Sequence, residues 1–224
     1  MRVTLLPRDQ FQRALFLLFL IFFGASCVAP PYVEYLLMQH VPTILGAFVL
    51  IYVSNRFVIS RLSFTSIIVF LCLHTLGARY LYSYVPYDAW SQYLLGISIS
   101  ESFGFQRNHY DRLVHFSFGL LLAMPVQEIE RRYLRLSLAL SSLLALEFVI
   151  ATSASYELME WLVAVLFTPD WADQFLGQQG DIFDAQKDMS LATAGACVSL
   201  SFLGTRSYCR KFGMRRSEES RRST

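Results

Sequence analysis

The stretch "LRLSLALSSLLALEFVIATSASYELMEWLVAVLF", Leu134 to Phe167, decides how often this chain crosses a membrane. It is apolar with few breaks. As one helix rising 1.5 Å per residue it measures about 50 Å, well over the ~30 Å of bilayer hydrocarbon. Split in two, it leaves about 17 residues for each span and none for a turn. Length leaves both options standing, and charge separates them.

The other apolar runs long enough to cross are 13–28, 36–53, 64–82, 112–127 and 188–204. With 134–167 counted once there are six spans. The N-terminus, the loop with Arg56 and Arg61, the loop with Arg131, Arg132 and Arg135, and the C-terminal tail then share one side. That side holds 15 of the 19 Lys and Arg, all but Arg79, Arg107, Arg112 and Lys187. A seventh span would send the most basic segment outside, against the positive-inside rule. The expected fold is therefore all-α: a polytopic transmembrane helix bundle of six spans with both termini cytoplasmic, in which 134–167 is one long helix that tilts, kinks or protrudes. Residues 1–205 read as a single integral membrane domain, and 206–224 as a basic, disordered cytoplasmic tail.

Composition agrees. The chain of 224 residues is 54% hydrophobic and 16% charged, with mean hydropathy +0.42, outside the range of soluble domains. A formal charge of +2 conceals a basic tail and an acidic segment ahead of the last span, a pattern that reports orientation rather than nucleic-acid binding. Cys27, Cys72, Cys197 and Cys209 lack metal-site spacing and suggest no disulfide framework. The first apolar run reads as an uncleaved span, because lipoprotein-type cleavage before Cys27 favours Leu where Gly24 stands. "RYLYSYVPYDAWSQY", Arg79 to Tyr93, has the chemistry of an interfacial aromatic belt on the outer side.

Ionisable residues enter three spans at similar depth near that outer side. In "RNHYDRLVHFSFG", Arg107 to Gly119, Asp111 and His115 sit four apart on one helical face. In the long fifth span Glu157 and Glu160 sit three apart. Asp181, Asp184 and Asp188 precede and enter the sixth, aligned if the helix starts near Asp181. Charged groups at this depth are costly unless paired or functional, and one shared site accounts for all of them. Close-packed carboxylates also need protons, Arg, Lys or a metal ion to offset their charge, and Arg107, Arg112 and Lys187 are at hand.

Structural readings stand beside the functional one. Asp181 suits a helix N-cap with Asp184 at the third helical position, and Asp111 could lock helices through Arg112, Arg107 or His115. Glu157 and Glu160 could snorkel or carry protons. His40 and His74 read as hydrogen-bonded between helices. Glu147, about 15 Å below Glu157 on the same helix, could join the cluster through a proton or ion path.

At these motifs the chain resembles the YjdF-like family of bacterial inner-membrane proteins. "RNHYDRLVHFSFG", "SASYELMEW" and "ADQFLGQQGDIFDAQKDM" carry the resemblance, which covers most of the chain. It departs from the family pattern at Gln178, Phe183 and Lys187, none of which removes a carboxylate. A fainter likeness is to VanZ-like membrane proteins, with Asp111, His115, Glu157 and Asp184 or Asp188 at the matching positions. The resemblances imply a bacterial inner membrane and a role at the cell envelope, without naming a reaction.

Three functions stay open. An outer-leaflet pocket using Asp111, Arg112, Glu157, Asp181, Asp184 and Asp188 would bind a polar group or cation of an envelope molecule, including a lipid-linked one. If that pocket is enzymatic, the chain is a metal-dependent hydrolase or transferase: Glu157, Asp184 and Asp188 would hold Mg, Mn or Zn, and His115 or Glu160 would act as general base. The alternatives are a proton- or cation-coupled transporter relaying through Glu147, and an assembly protein whose carboxylates only lock helices.

Overall fold

The computed structural model describes the backbone of residues 6–222 and the side chains of residues 6–169 and 171–205; the expectation for the tail at 206–224 concerns residues outside those with described side chains. Among the described residues the chain forms nine helices and no strand. These are α1 (Gln10–Ser26), α2 (Val33–Arg56), α3 (Arg61–Arg79), α4 (Tyr87–Leu95), α5 (Ile99–Phe103), α6 (Tyr110–Tyr133), α7 (Leu138–Leu166), α8 (Pro169–Leu176) and α9 (Asp184–Arg222). Three of them, α2, α3 and α7, are long and apolar enough to cross a membrane, and α1 is a shorter apolar helix.

The segment that decided the span count forms the single helix α7, 29 residues and about 44 Å long. It starts four residues later than the apolar run. Arg135 takes a left-handed backbone (φ 54°) that ends the preceding chain direction, and the Ser137 hydroxyl then accepts from the Leu140 amide as N-cap.

Six long helices alternate in direction, and cross-links at both ends fix their order. At one end Gln12 on α1 donates to the Ile59 carbonyl (3.2 Å), Ser60 and Ser63 at the start of α3 hydrogen-bond Glu128 near the end of α6, and Gln127 of α6 meets Ser142 of α7 (2.7 Å). At the other end Arg79 donates to the carbonyls of Ser26 and Val28, and Tyr110 donates to the Leu73 carbonyl (3.0 Å). The histidines His40 and His74 are held between helices, by Ser26 (3.3 Å) and Thr43 (2.8 Å). The short helices α4, α5 and α8 gather at this second end, with Tyr35 of α2 stacked on Trp171 of α8.

The tightest contact is between α6 and α9, which run parallel. Ala123, Ala192 and Ala196 are fully buried there. A methyl group added to Gly119 would collide with the Ala192 carbonyl oxygen, and one added to Gly195 would collide with the Phe116 carbonyl. Only a hydrogen at these positions lets the two backbones meet, the close approach that small residues permit between membrane helices. Replacing Gly195 by Val therefore forces α6 and α9 apart. Overpacking of this kind costs about 1–3 kcal/mol or more, so Gly195→Val should unfold at clearly lower temperature in detergent, read by fluorescence-detected size exclusion. Gly24→Val, at a position with nothing within 4 Å, should match the parent.

Candidate functional site

The α6–α9 contact brings the start of both helices together, and two groups of charges assemble there. The outer group is an ion-pair network. Arg107, in the loop before α6, donates to Asp184 (2.7 Å) and to the Gln178 carbonyl (2.7 Å). Arg112 meets Asp181 at 2.5 Å and Asp184 at 3.5 Å, and Lys187 meets Asp181 at 2.6 Å.

Helix α9 begins at Asp184, not near Asp181 as the spacing predicts. Gly177, Gln179 and Gly180 all take left-handed backbone, which keeps the chain in a turn until Asp181. Asp181 then accepts from the Phe183 amide (3.1 Å) in a local turn, and Asp184 becomes the first helical residue.

The inner group lies further along α6 and α9, between this network and the Gly119 contact. His115 Nε2 is 3.7 Å from Asp111 Oδ1 and 3.6 Å from Glu157 Oε1, which joins α6 to α7. Ligand-capable atoms of Asp111, His115 and Asp188 all lie within 4.8 Å of one another. Asp188 is only 2% exposed, and its Oδ1 has no hydrogen-bond partner in the protein; neither has Glu157 Oε1. Glu160 is close enough to Asp111, Glu157 and Asp188 for their charges to interact.

Asp111, His115 and Asp188 lie close enough together to hold a cation, whereas Glu157 approaches only His115 of the three. Atoms 3.6–3.7 Å apart are too distant to hydrogen-bond well. Two ligand atoms each about 2.1 Å from one ion, at an angle between tetrahedral and trigonal, stand roughly 3.4–3.7 Å apart. The set also differs from the sequence expectation of Glu157, Asp184 and Asp188 as ligands. Asp184 faces Arg107 and Arg112, which both approach its Oδ1, while Asp111 and His115 take its place beside Asp188. The i, i+4 spacing of Asp111 and His115 carried that information, but which acid the arginines would claim was not local.

Glu147 stands apart. It is exposed on the outward face of α7 and lines neither the cavity beside His115 nor the pocket around Glu128. On the far side of His115 lies a cavity of about 470 Å³ bounded by α2, α3, α6 and α7. Its polar residues are Thr43, His74, Tyr82, Asp111, His115, Thr152, Ser153 and Tyr156; the sequence reading did not include His74, Tyr82 or Tyr156 in the site. The three aromatic rings pack edge to face, with His74 5.7 Å from Tyr82 and 6.4 Å from Tyr156. Nothing in local spacing pointed to them, because they meet only after α3 and α7 pack on α6.

Fold and site define a helical membrane protein with a buried carboxylate and histidine cluster at one end of its bundle. The chain belongs to the family described as "Predicted membrane protein (DUF2238)", which matches residues 11–208. It is similar to the inner membrane protein YjdF of Escherichia coli (strain K12), with 36% identity over 183 residues, covering 80% of this chain and 82% of that protein. No solved structure matches it.

Asp181 yields a pH prediction. The hydrogen bond from Lys187, aided by the Phe183 amide and Arg112 and opposed by partial burial, holds its carboxyl down at about 2, against an ordinary 3.8. A depressed carboxylate stabilises the fold fully above its unfolded value, and that contribution disappears as pH falls through the folded one. The melting temperature should therefore gain nothing from Asp181 below pH ~2 and the full contribution above pH ~4. The difference between parent and Asp181→Asn melting curves should shrink across that window.

Proposed function

We propose that this chain is a six-span inner-membrane protein, both termini cytoplasmic, whose outward-facing end carries a divalent-cation site made by Asp111, His115 and Asp188, with Glu157 beside His115. The cation and the neighbouring arginines hold an anionic group of an envelope molecule. Alternation of the six long helices and the grouping of 15 Lys and Arg on one side support this orientation, and the relative's name places that protein in the inner membrane. The observation that carries the site is Asp188, buried with an unpartnered oxygen beside Asp111 and His115. A single imidazole among carboxylates favours Mn or Zn over Mg.

Division of labour follows from the two layers. Arg107, Arg112 and Lys187 with Asp181 and Asp184 lock the entry loop to α6 and α9, which is the structural part. The inner acids lack such partners and are left for a ligand. In a hydrolytic or transfer step on the bound group, Glu160 is the residue available to take or give a proton. A relay through Glu147 has less support, since that residue points away from the cluster.

Metal content tests this reading. Protein purified in mild detergent without chelator should carry close to one Mn or Zn per chain by mass spectrometry. Asp188→Asn should lose it, whereas Asp181→Asn, altering only the outer network, should keep it. A metal-free parent, or an Asp188→Asn variant with undiminished metal, would overturn the cation site.

A further inference from the structure

We propose that the cavity between α2 and α7 holds the hydrocarbon chain of a phosphomonoester-headed membrane lipid, with its head at the Asp111 and His115 end. The head position rests on the cation-site reading; the chain position does not.

The cavity has the right size and shape. Its 470 Å³ falls within the ~300–1,000 Å³ of ligand sites. It reaches along α6 from Asp111 to Ile129, 18 residues or about 27 Å, close to the ~30 Å of bilayer hydrocarbon. So long and slender a space has no room for a helix about 10 Å across, but it fits one extended chain. Its walls are apolar, including Leu50, Phe70, Phe118 and Leu122.

Access is lateral. Helix α2 packs on α3, and α7 packs on α6 and α9, but α2 and α7 form no packed interface with each other. Val49 on α2 and Phe148 on α7 line the cavity and are also 59% and 43% exposed, so the mouth faces the surroundings of the bundle. A lipid chain could enter between them without leaving hydrocarbon. A small polar molecule would gain nothing from such walls.

The head chemistry comes from unpartnered donors. Arg107 Nε and Nη2 and Arg112 Nε are buried without a hydrogen-bond partner in the protein, close enough to Asp111 to act on its charge. Guanidinium donors beside a cation site match a phosphate, whose oxygens can accept from the arginines while bridging to the metal.

The test uses the full chain in phosphatidylcholine liposomes containing a trace of phosphatidic acid with a mid-chain diazirine, photolysed and mapped by mass spectrometry. Phe118 and Leu122 inside the cavity should label several-fold above Leu18 and Ile21, which face outward on α1. Thr152→Trp, placing a large ring in the cavity from α7, should abolish the excess while metal content stays at the parent level. Equal labelling of inner and outer positions, or an unchanged pattern in Thr152→Trp, would overturn the proposal. So would an equal yield from phosphatidylcholine bearing the same diazirine, which lacks an open phosphate head. Inner labelling by phosphatidic acid in a metal-free protein would uphold the chain site and sink the cation reading; bound metal without inner labelling would do the reverse.

Discussion

The charged end of the molecule depends on how closely α6 and α9 approach. Gly119 and Gly195 let the backbones touch, and Ala123, Ala192 and Ala196 fill the seam without holding it open. Asp188 lies one turn before Ala192, and His115 one turn before Gly119, so the seam that packs the small residues also sets the distance between these two side chains. With bulkier residues the helices would separate, and Asp188 would no longer reach Asp111 and His115. In the proposed six-span arrangement no hydrophobic drive acts between these helices within hydrocarbon, so such van der Waals closeness would supply much of the association.

Two layers of charge then solve different problems. Five residues of the outer layer pair with one another, Asp181 and Asp184 against Arg107, Arg112 and Lys187, with one positive charge in excess. Three of their contacts are as short as 2.5–2.7 Å, and removing one partner would strand a buried charge. The inner layer has acids and one imidazole, at separations too long for hydrogen bonds and too short for isolation. A buried group left unpartnered is expensive. The proposed cation would offset that cost for the several retained in one place here.

Much of this was legible in the sequence because helical spacing is a local property. The pairs Asp111 with His115 and Glu157 with Glu160 fall on single faces whatever the rest of the chain does, and the resemblance at "RNHYDRLVHFSFG" led to the family that the comparison found. The all-helical architecture followed from the apolar runs. Pairing was not legible. Asp184 looked like a ligand because it shares a face with Asp188, but Arg107 reaches it from 77 residues away. The start of α9 was misplaced by three residues because left-handed backbone at Gln179 is invisible to periodicity. The cavity was hidden for a similar reason, since it exists where α2 and α7 fail to meet.

The central claim is that α6 and α9 share one cation bound by a single imidazole and carboxylates. Pulsed electron paramagnetic resonance of the Mn-loaded protein in liposomes tests it most directly, through the nitrogen modulation of the metal signal. The account predicts coupling to one imidazole nitrogen, absent in His115→Gln while manganese remains bound more weakly. Bound manganese with no nitrogen coupling, or with coupling unchanged in His115→Gln, would contradict it.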